Sequence, residues 1–155
     1  MFDIIFDGTT FEVIIRLLFS VLFAGIVGFE REVTGKPAGL RTHALVSMGA
    51  CLFTVASFYV CPETLNFDAS RIAAGVVTGI GFIGAGSIIA SRGHVRGITT
   101  AASLWLVAAI GLVVGMGGYI IAFIASVFSF VLLRMGKLER EMELKTENKD
   151  KKSPM

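Results

Sequence analysis

The sequence predicts an all-α fold, a polytopic membrane bundle of five transmembrane helices with the N-terminus outside and the C-terminus inside. Three observations lead there. The chain is apolar for its length: 54% of its 155 residues are hydrophobic and 17% are charged, where soluble domains run at about 45–50% and about 25%. The charges leave whole stretches of membrane-spanning length empty. The basic residues also gather on one side of a five-span arrangement, as the positive-inside rule requires.

A spanning helix needs about 20 mostly apolar residues, because the hydrocarbon core is about 30 Å thick. The first run, 11–29, has only Glu12 and Arg16 near its start, spaced i, i+4 in the favourable order. The acidic segment before it lacks the basic region of a secretory signal, so this run is a permanent span. The second run, 42–60, carries no charge unless His43 is protonated, and the third, 72–90, carries none. The fourth run, 97–133, is uncharged and as one helix would be about 55 Å long, too long for one crossing. Its middle reads Gly115-Met116-Gly117-Gly118, and glycine permits the backbone conformations of a tight turn. The run therefore splits into spans at 98–115 and 119–133.

With five spans, one side holds Arg31, Lys36, Arg41, Arg92, Arg96 and seven basic residues of the tail, which is 12 of the 14 Lys and Arg. The opposite side holds mostly acidic residues, with only Arg16 and Arg71 near it. Residues 1–135 make up the membrane domain. Residues 136–155 form a short charged cytoplasmic tail, a helical extension that becomes disordered after Thr146.

Net charge is +2, so there is no broad basic face for nucleic acid. Cys51 and Cys61 on one helix would stand about 15 Å apart, beyond the roughly 7 Å a disulfide allows. There is no His, Cys and carboxylate cluster at metal-ligand spacing, no Walker A pattern and no GxSxG elbow. The chain reads as a non-enzyme without cofactor or metal site.

Several motifs carry competing readings. Gly79-Ile-Gly81-Phe-Ile-Gly84-Ala-Gly86 matches GxGxxG, but it lies inside an apolar span with no acid until Glu139, unlike a dinucleotide fingerprint. Helix packing explains it better: small residues let backbones approach, and Gly75 with Gly79, and Gly111 with Gly115, form GxxxG pairs. A locally unwound segment lining a polar site is the other reading. Gly25 and Gly28 add a smaller notch, and Trp105, too deep for an interfacial belt, is expected to pack against another helix. Asp68 is a natural N-cap for the third span with Arg71 three residues on; the functional reading makes it a carboxylate that binds a cation or docks a partner. Glu30, Arg31, Arg41 and His43 belong to a charged first inner loop, solvated or a binding face. Arg96, Thr99 and Thr100 belong to a second, where arginine suits lipid headgroups and threonine bonds across helices.

The stretches at 28–53 (GFEREVTGKPAGLRTHALVSMGACLF), 68–89 (DASRIAAGVVTGIGFIGAGSII) and 95–117 (VRGITTAASLWLVAAIGLVVGMG) together resemble the MgtC/SapB family of bacterial inner-membrane proteins. The resemblance covers most of the membrane domain and implies the same five spans and orientation. It matches the family's acid to Asp68 and its loop signature to Glu30, Arg31, Gly39, Leu40, Arg41, Thr42 and His43. It further implies a plasma-membrane protein linked to magnesium limitation and, in pathogens, to survival inside host cells. The MgtC branch is implied to regulate other membrane proteins, ATP synthase among them. That branch carries a soluble C-terminal domain, whereas this chain stops about 20 residues after its last span, so functions resting on that domain do not carry over.

Two functions follow as expectations. The first is a non-enzymatic membrane module tied to Mg²⁺ homeostasis that binds or regulates other membrane proteins. The second is a Mg²⁺ or other cation path formed by a homo-oligomer, with the glycine-rich third span lining it. No Asp, Glu or Lys lies deep in any span, and coupled carriers usually keep such groups there, which favours the first. Backbone carbonyls also coordinate ions, which keeps the second open.

Overall fold

Each long apolar run folds as a helix. In the computed structural model, which describes residues 8–60, 68, 70–91 and 94–151, the order is α1 (Gly8–Val33), α2 (Leu40–Val60), α3 (Ser70–Gly86), β1 (Ile89–Ser91), β2 (His94–Arg96), α4 (Ile98–Gly115) and α5 (Tyr119–Lys151). Cys61 and Arg92, invoked above, lie outside the described residues. Three helical stretches, Thr10–Val33, Ile98–Gly115 and Tyr119–Gly136, are long and apolar enough to cross a membrane, and Ser70–Gly86 is apolar but shorter.

The helix ends show why the chain turns where it does. Gly35 adopts φ +65°, Lys36 N–H donates to the Arg31 carbonyl and Gly35 N–H to that of Glu32. This is a Schellman stop, and it extends α1 through Glu30 and Arg31, which the sequence reading placed in a loop. The same device separates α4 from α5. Gly117 has φ +86°, Gly118 donates to Val113 and Gly117 to Val114, so the Gly-Met-Gly-Gly break is a helix stop.

The third helix departs from expectation. It ends at Gly86 instead of running to residue 90, and β1 pairs antiparallel with β2, Ile89 facing Arg96 and Ala90 facing Val95. Ser87 turns its hydroxyl onto the Gly84 carbonyl, a local bond that competes with helix continuation, and the short alternating Ile89-Ala90-Ser91 suits a strand. α5 runs through Thr146 to Lys151.

The core forms around α4, which touches all four other helices. Val107, Ile110 and Val114 of α4 pack with Phe23, Ala24 and Val27 of α1 and with Cys51 and Val55 of α2. Leu104, Ala108 and Leu112 meet Ala50 of α2 and Ile80 of α3. Aromatic rings tie α5 to α1, Phe19 to Tyr119 at 5.1 Å and Phe23 to Phe123 at 5.8 Å. Phe82, Ile120, Leu132, Phe11 and Phe128 instead point outward, the arrangement a bilayer accommodates and water does not.

Glycines divide into two classes. A Cβ on Gly111 would sit 2.1 Å from the Ser47 carbonyl oxygen, and one on Gly115 would sit 2.5 Å from Thr54 Cβ, so α2 and α4 meet backbone to backbone. Gly84 faces Ala101 of α4 at ordinary contact distance. A Cβ added at Gly75, Gly79, Gly81 or Gly86 would meet nothing within 4 Å among the described residues. Trp105 is 49% exposed.

Candidate functional site

Four of the sequence-selected residues come together where α1 ends and α2 and α4 begin. The approach is set by Gly28, where a Cβ would lie 2.8 Å from Leu40 Cα and 3.0 Å from His43 Cβ; only glycine fits that crossing. His43 is fully buried, and Glu30, Arg31 and Thr100 are also buried. His43 Nδ1 lies 2.8 Å from the Gly39 carbonyl and Nε2 lies 3.0 Å from Ser103 Oγ. A carbonyl only accepts, so Nδ1 carries the proton. Ser103 Oγ in turn lies 2.8 Å from the Thr100 carbonyl. Arg31 donates from a terminal nitrogen to Thr100 Oγ1 at 3.2 Å, and its other terminal nitrogen stands 3.8 Å from Glu30 Oε2.

This node is polar, enclosed and incompletely paired. Among the described residues, Glu30 Oε2, Arg31 Nε and the neighbouring Ser47 Oγ have no hydrogen-bond partner, although burying a charged group unpaired is costly. Glu30 and Arg31 therefore depend on each other for charge balance. Chemically the node joins three helix ends through directional bonds, which in an apolar medium specify one arrangement of the bundle.

Sequence reasoning missed Ser103, Ser47 and Glu32. Ser103 stands three residues after Thr100, and that helical spacing was the available signal. Glu32 accepts from Leu40 N–H at 2.8 Å, placing a carboxylate at the start of α2, where orphan amides and the helix dipole favour it. Arg41, Arg96 and Thr99 are exposed at this end and take no part in the node.

Asp68 and Arg71 lie at the start of α3, away from this node. Asp68 Oδ1 accepts from Ser70 N–H at 2.9 Å, and its carbonyl accepts from Arg71 N–H at 3.1 Å, which is N-cap geometry. Hydrogen bonding from Ser70, side chain and then amide, holds this exposed carboxyl below its ordinary range. Arg71 makes no ion pair among the described residues. Arg16 donates to the Gly115 carbonyl and pairs with Glu12, closing the C-terminal end of α4.

A profile of the MgtC family matches residues 17–141. The chain belongs to the MgtC family. Among curated members, the chain is 46% identical over 131 residues to a protein of Escherichia coli strain K12 described as putative magnesium transporter YhiD, covering 81% of this chain and 61% of that one. It is 42% identical over 117 residues to protein MgtC of Salmonella typhimurium, 76% of this chain and 49% of that one. It is 45% identical over 109 residues to protein MgtC of Brucella abortus, 70% of this chain and 44% of that one. The chain thus spans between about two fifths and three fifths of the MgtC-family relatives it matches. No solved structure matches it.

Among the described residues no three His, Cys, Asp or Glu side chains gather as a metal site. With its apolar exterior and family membership, the chain is a membrane protein.

Proposed function

We propose that this member of the MgtC family is a non-enzymatic, multi-pass protein of the bacterial plasma membrane that supports Mg²⁺ homeostasis by binding and modulating other membrane proteins. Its five helices cross the bilayer with the N-terminus outside and the C-terminus inside, and ATP synthase is the partner that the family resemblance supplies. One observation carries the choice of a regulator over a carrier. The groove beside the glycine-rich α3 is walled by apolar side chains, and its charged lining residue is Arg71, a fixed positive charge that repels a divalent cation. Glu30 is enclosed at the opposite end of the bundle, and Asp68, at the Arg71 end, is engaged by the Ser70 amide.

The alternative is a Mg²⁺ or other cation path in an oligomer, with α3 facing the path. It is favoured by the unoccupied faces of Gly75 and Gly79, which a neighbouring copy would cover. Purified protein in liposomes enclosing a Mg²⁺-sensitive dye separates the two. The regulator gives dye signals equal to protein-free liposomes under an imposed Mg²⁺ gradient. Protein-dependent flux that is abolished by Gly79→Leu would transfer the assignment to the carrier.

A further inference from the structure

The open groove between α2 and α3 has a volume of about 780 Å³, within the roughly 300–1,000 Å³ of small-molecule sites. Phe53 of α2 and Ile72, Val76 and Ile83 of α3 wall it, and Ala108 of α4 lies beneath. Gly49, Gly75 and Gly79 also line it, and a Cβ at any of the three would meet nothing within 4 Å. Glycine inside a helix costs up to about 1 kcal/mol relative to alanine, and no contact among the described residues uses the room it leaves.

Arg71 is in the first turn of α3, so its guanidinium marks one end of the groove. Ile83 marks the other, twelve residues on, about 18 Å along a helix. That length is close to one leaflet of hydrocarbon, about 15 Å, half of a core about 30 Å thick. The groove runs along the helices, so in a spanning bundle it parallels the lipid chains. An apolar channel one leaflet deep with a cation at its mouth is complementary to an amphiphile with an anionic head.

We propose that the α2–α3 groove binds one bilayer phospholipid from the leaflet at the Arg71 end, an acyl chain lying over Gly75 and Gly79 and the phosphate paired with Arg71. A spanning helix of a partner would need nearly twice this depth, and at the far end α3 closes onto α4, where Gly84 faces Ala101. Inside a membrane the chain gains no hydrophobic transfer energy by leaving the bulk lipid. Retention therefore rests on close packing over the glycines and on the charge-assisted bonds between guanidinium and phosphate. Asp68, within the electrostatic reach of Arg71, is engaged by Ser70, which leaves the guanidinium available.

Native mass spectrometry of the full chain in detergent, titrated with phosphatidylglycerol or with diacylglycerol of the same chains, tests this. The wild type retains one phosphatidylglycerol per chain and binds diacylglycerol roughly tenfold or more weakly, the loss expected for a charge-assisted hydrogen bond. Arg71→Gln lowers phosphatidylglycerol to the diacylglycerol level, Arg71→Lys restores most of the difference, and Arg134→Gln, an exposed cation of α5, changes nothing. Gly79→Leu weakens both lipids by filling the groove. Equal binding of the two lipids by the wild type would overturn the proposal, as would unchanged binding in Arg71→Gln or a lipid-free dimer that buries the groove. Arg71 is exposed, so its variants keep the core intact and decide the question even where the leucine variant fails to fold.

Discussion

His43 Nε2 lies 3.0 Å from Ser103 Oγ, sixty residues further along the chain. Because Nδ1 is held by the carbonyl of Gly39, the ring has no freedom to turn and acts as a strut between α2 and α4. Removing the far partner tests that role. Ser103→Ala should lower stability by about 1 kcal/mol, in the range measured for interhelical hydrogen bonds in membrane proteins, read by unfolding in detergent micelles. The exposed neighbours give the contrast: Arg41→Gln and Thr99→Ala should stay within about 0.5 kcal/mol of wild type. Equal losses at buried and exposed positions would remove the node from the account of stability.

The two glycine classes predict opposite signs. A methyl at Gly111 meets the Ser47 carbonyl at 2.1 Å, and backbone cannot step aside as a side chain would. Gly111→Ala should therefore separate α2 from α4 and cost about 1–3 kcal/mol or more. Gly81→Ala meets nothing and should be neutral or stabilising by up to about 1 kcal/mol through helix propensity. Thermal melts of the two single variants in the same detergent check both. Comparable destabilisation at Gly81 would mean that a second molecule packs on that face.

The helices and their breaks were legible because hydrophobic run length and glycine placement are local signals. The split at Gly115-Met116-Gly117-Gly118 needed only the excess length of its run. The partition of the glycines was not legible, since Gly79 and Gly111 sit in identical GxxxG spacing and differ only in what the fold brings over them. The inner node was half legible. Glu30, Arg31, His43 and Thr100 stood out as charge or hydroxyl near span ends, but Ser103 and Glu32 looked like ordinary polar residues until α2 supplied their partners, His43 and the Leu40 amide. Glu30 looked solvated because the Schellman stop at Gly35, which carries α1 past it, was hidden in a mixed-charge stretch.

Orientation is checked by labelling. Lys36 stands in the α1–α2 loop and Met116 in the α4–α5 turn, at opposite ends of the bundle. With Cys51 and Cys61 replaced by alanine, Lys36→Cys should resist an impermeant thiol reagent in intact cells, and Met116→Cys, 56% exposed before substitution, should react. The motive is the split of 12 of 14 Lys and Arg to one side. The reverse labelling pattern would invert the bundle.

Asp68 separates a helix cap from a charge that matters in its own right. Its carboxylate takes the Ser70 amide at 2.9 Å, a bond that asparagine or serine also accepts. Hydrogen bonding from Ser70 lowers its proton affinity. The stabilisation from its charge is therefore complete above the ordinary carboxylate value of about 3.9 and fades only as pH falls through the lowered one, so the group is charged at any growth pH. Asp68→Asn thus removes the charge while keeping the cap. In a strain whose growth at low Mg²⁺ depends on this protein, Asp68→Asn should leave the amount of protein in the membrane near wild type and impair growth. Asp68→Glu should restore growth in part. The motive is the correspondence of Asp68 to the family's acid and its exposed position one turn from Arg71. Full growth with asparagine, together with loss of the protein in Asp68→Ala, would leave Asp68 as a cap and no more. Immunoblots of membrane fractions beside the growth curves distinguish the two outcomes.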